Sequence, residues 1–241
     1  MNFKFLEIDE WYKTKAGNIN AKLIFHTINK LFSTSYDKNI LYFGPNNIIK
    51  KIAEENYNFN SFYISSSNDA DINAEIQKLP FQESSIDCAV LIHSLDIDIN
   101  PHAVFREIDR VLKDDGEIII AGFNRISFLG IYGFIPIKSI FRNKKYVGIS
   151  RLSDWMSLFS YEIKQVVNIN KIPPVKSIKI IKRLKFLNNS AFSKINYFGN
   201  SYIIFAKKKT CRLILSKNWH KKDNIILGKF TKPVIHNSYE K

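Results

Sequence analysis

The stretch IDCAVLIHSLDIDINPHAVFREIDRVLKDDGEIIIAGFN, residues 86–124, decides the fold. Its first part, IDCAVLIHS, is apolar on both faces of an extended chain, the pattern of a strand buried inside a parallel sheet. Asn100-Pro101 then marks a helix start, a capping side chain followed by proline at the first helical position. AVFREIDRVLK places Val104, Phe105, Ile108, Val111 and Leu112 on one helical face, and Asp114-Asp115-Gly116 is expected to end the helix. EIIIAGF is a second buried strand. Strand, helix and strand at this spacing form a right-handed crossover, so the chain is read as an α/β sheet protein.

Outward from this unit the pattern weakens. Upstream, NILYFG (39–44) reads as a short buried strand, NNIIKKIAEEN as a helix and SFYIS (61–65) as a second strand. Trp11, Leu23, Ile24, Ile28 and Leu31 give the N-terminal region a helical apolar stripe. Downstream, SRLSDWMSLFS (150–160) reads as a helix capped by Ser150, YEIKQVVNI as a strand and SYIIFAKKK (201–209) as the last strand. The expected organisation is a helical extension over 1–36, a sheet domain over 37–209 with a basic insertion at 171–200, and a tail over 210–241.

Composition narrows the class. Apolar residues make up 45% of 241, which suits a folded domain. Cys88 and Cys211 lack metal-type spacing, so neither a disulfide framework nor a metal site is expected, and a reducing cytoplasm is the simplest setting. No apolar run is long enough to cross a bilayer; ISFLGIYGFIPI (126–137) is short and broken by Gly and Pro. The net charge of +14 is uneven: residues 1–125 carry 13 basic and 18 acidic side chains, residues 126–241 carry 23 and 4. Such asymmetry suits contact with nucleic acid or an anionic membrane face. A chain rich in Lys, Asn and Ile throughout would show it without any such partner. GFIPIKSIFRNKK (133–145) mixes apolar and basic residues as an interfacial helix would.

The segment AEIQKLPFQESSIDCAVLIHS, with Arg-Val-Leu-Lys and Gly-Phe-Asn behind it, resembles the core of class I S-adenosylmethionine-dependent methyltransferases of the type 11 group. Trp11 and RLSDW (151–155) are similar to features of a proteobacterial branch of that group. The resemblance implies a Rossmann-like sheet, mostly parallel with an antiparallel last strand and an abbreviated region around the second and third strands. It implies S-adenosylmethionine as cofactor and a small-molecule methyl acceptor. It puts Glu75, the acid four residues before Leu79, against the adenine amino group, with the Ile76 N–H on a ring nitrogen. A solvated loop carboxylate is the alternative for Glu75. Asp87 is read as a structural acid at the strand mouth. Gly44 and Ser65 complete the expected cofactor contacts, together with His93.

Two departures bear on activity. Where the group has a glycine-rich loop this chain has LYFGPNN, keeping only Gly44, and the ribose-binding acid at the end of the second strand is absent. Ser65, Ser66 and Asp69 are the nearest replacements. A catalytically silent binding module is therefore the competing reading. If a base is needed, His93 at the end of the buried strand is placed for it, with Asp96 and His102 behind it. A histidine capping the strand end is the alternative. Asn124 and Arg125 either orient an acceptor or form a turn, and Trp155 belongs to the core.

Overall fold

The computed structural model describes residues 3–32, 38–56, 59–65, 71–127, 146–171 and 199–209. The segment 133–145, most of the basic insertion, the tail, Ser66 and Asp69 lie outside the described residues. In chain order the elements are α1 (Phe3–Lys13), α2 (Lys15–Leu31), β1 (Asn39–Phe43), α3 (Asn46–Glu55), β2 (Asn60–Ser65), β3 (Ile72–Asn73), β4 (Ile86–Ile92), α4 (Ser94–Ile97) and α5 (Pro101–Val111). They continue with β5 (Leu112–Phe123), α6 (Ile149–Leu158), β6 (Tyr161–Ile169) and β7 (Ser201–Lys208).

The strands form one sheet in the order β3-β2-β1-β4-β5-β7-β6, parallel except that β7 runs against β5 and β6. From β1 the chain winds outward to β2 and β3, then crosses to β4 on the other side of β1. The β1/β4 boundary is thus the topological switch point, beyond whose carboxyl ends a crevice opens in folds of this kind. The shortening expected around the second and third strands falls on β3, which has two residues; β2 has six, against five in β1.

Alternation along the strands feeds two cores. Cys88, Val90 and Ile92 of β4 pack toward α2 and α3 with Ile24, Ile28, Ile49 and Ile52. Ala89 and Leu91 pack toward α5 and α6 with Val104, Phe105, Ile108, Leu152 and Met156. Ile86 lies on the α5 face although Cys88 lies on the other, because the β4/β5 register shifts between them. Each fully buried Ile or Leu contributes about 2–3 kcal/mol of apolar transfer free energy. Strand burial on both faces is what made this region readable as sheet interior.

Two expected boundaries are corrected. α5 begins as expected, with the Asn100 side chain accepting the Ala103 N–H at 3.1 Å, but it ends at Val111 and not at 114–116. Leu112 already pairs with Ile86 in the sheet, and Asp115, at φ 63°, bends the strand rather than stopping the helix. α6 is preceded by Gly148, not capped by Ser150; the Leu152 N–H closes its first turn on the Gly148 carbonyl at 3.1 Å. Ser150 is an exposed residue inside the helix.

α1 and α2 meet at a tight corner. Thr14 accepts the Gly17 N–H and donates its hydroxyl to the Trp11 carbonyl at 2.7 Å. A Cβ on Gly17 would lie 2.1 Å from the Trp11 carbonyl oxygen, so only glycine fits. Ile24 and Ile28 are buried in the core they share with β1 and β4, with Trp11, Leu23 and Leu31 half-buried around them.

Candidate functional site

The crevice edge is built from the ends of β1 and β4. Gly44 follows β1 at φ +151°, and a Cβ there would stand 2.7 Å from the Ile92 carbonyl oxygen. Glycine is required where these two strand ends approach. Ser94 Oγ donates to the Phe43 carbonyl at 3.2 Å, joining the same two ends. α3 then starts without a side-chain cap of its own. Its first amides are satisfied by Asp9 of α1, whose carboxylate accepts the Asn46 N–H at 3.3 Å, the Asn47 N–H at 3.4 Å and the Asn47 side-chain amide at 3.2 Å. Burial raises the Asp9 carboxyl above its usual range, and the two backbone N–H groups and the Asn47 side chain pull it back down.

His93 caps β4 in the left-handed region, at φ 56°, a conformation a β-carbon-bearing residue holds only when its surroundings impose it. Its backbone N–H joins the Ala121 carbonyl at 2.8 Å. The imidazole is fully buried and stacked on Phe123, ring centroids 3.7 Å apart. Nδ1 lies 3.2 Å from Asp96 Oδ2, and Nε2 lies 2.5 Å from the Tyr12 hydroxyl. With a carboxylate at Nδ1 the proton belongs there, leaving Nε2 to accept the Tyr12 O–H. Asp96 is itself fixed, its Oδ2 accepting the Phe123 N–H at 2.8 Å, while its buried Oδ1 has no hydrogen-bond partner among the described residues. Burial holds the Tyr12 phenol well above its ordinary pKa, so it is a neutral donor.

The loop between β3 and β4 is held from below by α5. Glu107 accepts the Leu79 N–H at 2.8 Å, and Arg110 donates to the Leu79 and Phe81 carbonyls at 3.2 and 3.1 Å. The two clamp residues also pair with each other at 2.7 Å. The Arg110 guanidinium lowers the Glu107 carboxyl below its usual range. Leu79 is buried, Phe81 meets Phe62 edge to face, and Gln77 reaches Asp98 beyond α4 at 2.7 Å. The loop therefore spans the carboxyl edge from β3 to α4.

Gly44, His93 and Asp96 converge at the β1/β4 edge. Glu75 is exposed and Ile76 half-buried in the braced loop. Ser65 ends β2, paired with Asn73. Asp87 is structural: it accepts the Asn39 N–H at 3.0 Å and pairs with Lys113 at 2.8 Å. His102 lies against Trp155 on α6, remote from His93 in its contacts, and Asn124 accepts the Ile126 N–H in a turn after β5. Sequence reasoning missed Asp9 and Tyr12, since polar residues on a first helix look solvated. It also passed over Glu107 and Arg110, whose i,i+3 spacing beside an apolar stripe was the available signal. Among the described residues no cluster of His, Cys, Asp or Glu could hold a metal ion, and no helix is long and apolar enough to cross a membrane.

Comparison with known proteins agrees with this geometry. Residues 34–120 match the methyltransferase domain family model. A curated relative, the uncharacterised YafS of Escherichia coli, is 34% identical over 147 residues, covering 60% of this chain and 58% of its own length. The chain thus spans little more than half of that relative. A SAM-dependent methyltransferase structure from Archaeoglobus fulgidus superposes with a TM-score of 0.57 at 14% identity, over 78% of this chain and 94% of that one. An S-adenosylmethionine-dependent methyltransferase from Mesorhizobium loti gives 0.53 at 11%, over 76% and 96%. The [4+2]-cyclase SpnF gives 0.55 at 13%, over 78% and 80%. Residues 34–120 thus match a methyltransferase domain model, and the sheet they belong to has the Rossmann-like fold of solved S-adenosylmethionine-dependent methyltransferases.

Proposed function

We propose that the protein is an S-adenosylmethionine-dependent methyltransferase acting on a small-molecule acceptor in the cytoplasm. The observation that carries this is the convergence of Gly44, the α3 N-terminus and the His93–Asp96 pair at the β1/β4 switch point. The donor set suits the cofactor at the start of α3: the Asn46 and Asn47 amides already receive the Asp9 carboxylate, as they would that of an amino acid. Gly44 and Ser65 would border the cofactor's amino-acid and ribose parts, and Glu75 with the Ile76 N–H would face its adenine. When bound, S-adenosylmethionine supplies an electrophilic methyl group.

The chain's own part is alignment and proton removal. Asp96 fixes the imidazole tautomer, and His93 Nε2 is a proton acceptor held in a water-poor wall. Buried Cys88, a free thiol, suits a reducing compartment. Calorimetry with S-adenosylhomocysteine tests the reading: a dissociation constant on the order of 10 μM is expected, and no heat at millimolar ligand rejects it.

A second reading is a silent module of the same fold. It draws support from Asp9 and Tyr12, which already occupy the donor and acceptor ends of the crevice, and from the SpnF neighbour, a fold relative named for a different chemistry. The same calorimetry separates the two. A nucleic-acid or anionic-membrane partner is the further competitor for the acceptor; it predicts that an RNA or an anionic vesicle shifts the protein at physiological salt.

A further inference from the structure

We propose that the methyl acceptor is an aryl alcohol, and that the Tyr12 side chain holds its place in the resting chain. The inference rests on the methyltransferase reading above and names the class of its substrate. The His93–Asp96 pair is already engaged with a phenol, the Tyr12 hydroxyl at 2.5 Å from Nε2. The ring that carries this hydroxyl lies between aromatic neighbours: its centroid is 5.0 Å from that of Trp11 and 6.0 Å from that of His93. Trp11 also meets Phe123 edge to face at 5.6 Å. A flat ring is what such walls select.

The chemistry of the pair narrows the nucleophile. A carboxylate has no proton to give Nε2, and its charge would be buried beside an imidazole that already faces a carboxylate, Asp96. An alkyl alcohol is a far weaker acid than an imidazolium, whereas a phenol, at about 10 against about 6.5 for histidine, is within reach of a general base acting as the bond forms. In the step, the aryl oxygen gains the methyl carbon, the carbon–sulfur bond of the sulfonium breaks with its electron pair on sulfur, and the hydroxyl proton passes to His93 Nε2. An aryl methyl ether, a neutral thioether and an imidazolium facing Asp96 result, so charge and atoms balance.

An entry route adjoins the site. Tyr12 also lines a cavity of about 510 Å³ between α2 and α3, with Ala21, Phe25 and Ile48 on its apolar side and Lys22 and Lys51 among its polar residues. This size suits a small aromatic molecule. Tyr12 is common to the cavity wall and to the contact with Nε2.

The test uses the full chain with 4-hydroxybenzoate as lead probe, a panel of simple phenols and catechols beside it, and benzoate as the hydroxyl-free control. Tyr12 and His93 ring resonances are assigned by their loss in Tyr12→Phe and His93→Gln. With S-adenosylhomocysteine bound, a phenol in the panel is expected to shift both resonances, and benzoate neither. With S-adenosylmethionine at saturation, the same phenol should gain one methyl group on oxygen, at a rate that falls at least a hundredfold in His93→Gln. Absence of S-adenosylhomocysteine binding would sink the methyltransferase reading itself. Binding of S-adenosylhomocysteine, with every phenol leaving both resonances unmoved or with benzoate acting alike, overturns the aryl-alcohol proposal alone.

Discussion

Gly44 and the Glu107–Arg110 pair show what single residues are worth at this edge. Gly44→Ala forces a Cβ to within 2.7 Å of the Ile92 carbonyl at a φ that side chains avoid. A loss of about 2 kcal/mol or more is expected, read by urea denaturation. Arg110→Met leaves two loop carbonyls without their donor; with the guanidinium partly solvated, about 1 kcal/mol is lost, and S-adenosylhomocysteine affinity should fall several-fold while Arg110→Lys recovers part of it. Because the Glu107 carboxyl is lowered in the folded chain, its contribution is complete above the ordinary carboxylate range. It disappears as pH falls through the folded value. The stability gap between wild type and Arg110→Met should therefore be wider at about pH 7 than at about pH 3. Of these residues only Gly44 was legible in the sequence, since a lone glycine after an apolar run marks a strand end. A charged pair on a helix carries no mark of which loop it will clamp, because its partners there are backbone atoms.

At the level of elements, the β4–α5–β5 unit was readable because its burial is uniform along each strand and one-sided along the helix. Its inner boundary was not. Leu112 ends an apolar helical face as naturally as it starts a strand, and the sheet won because Ile86 was there to pair with it. The α1–α2 corner was invisible for a different reason: Gly17 looks like a helix weakener, and its use is the approach to Trp11. Gly17→Ala should push α1 away from α2. Hydrogen exchange is expected to speed up along α1 and at the amides of Asn46 and Asn47, with β1, β4 and β5 unchanged. If α1 keeps its protection in that variant, the corner is not what holds it.

For the whole molecule, sheet order is the feature on which everything else depends, and it could be expected only through family resemblance, since strand order is not written in periodicity. The fold tolerates a shortened β3 because that strand lies at the sheet edge, where its Ile72 is only partly buried against the α5-side core. The side chains that reach the β1/β4 edge come from α1, Asp9 to the start of α3 and Tyr12 to His93. Those side chains have a joint consequence. Asp9 and Tyr12 sit three residues apart on one rigid helix, pinned at one end by the Thr14 corner, so a pivot there would carry off both blocking groups together. Whichever guest arrives first bears the whole work of prying the latch, and the second finds the door already ajar. Donor and acceptor should then each tighten the other by the same factor, measurable as a lower S-adenosylhomocysteine dissociation constant in saturating phenol than in buffer.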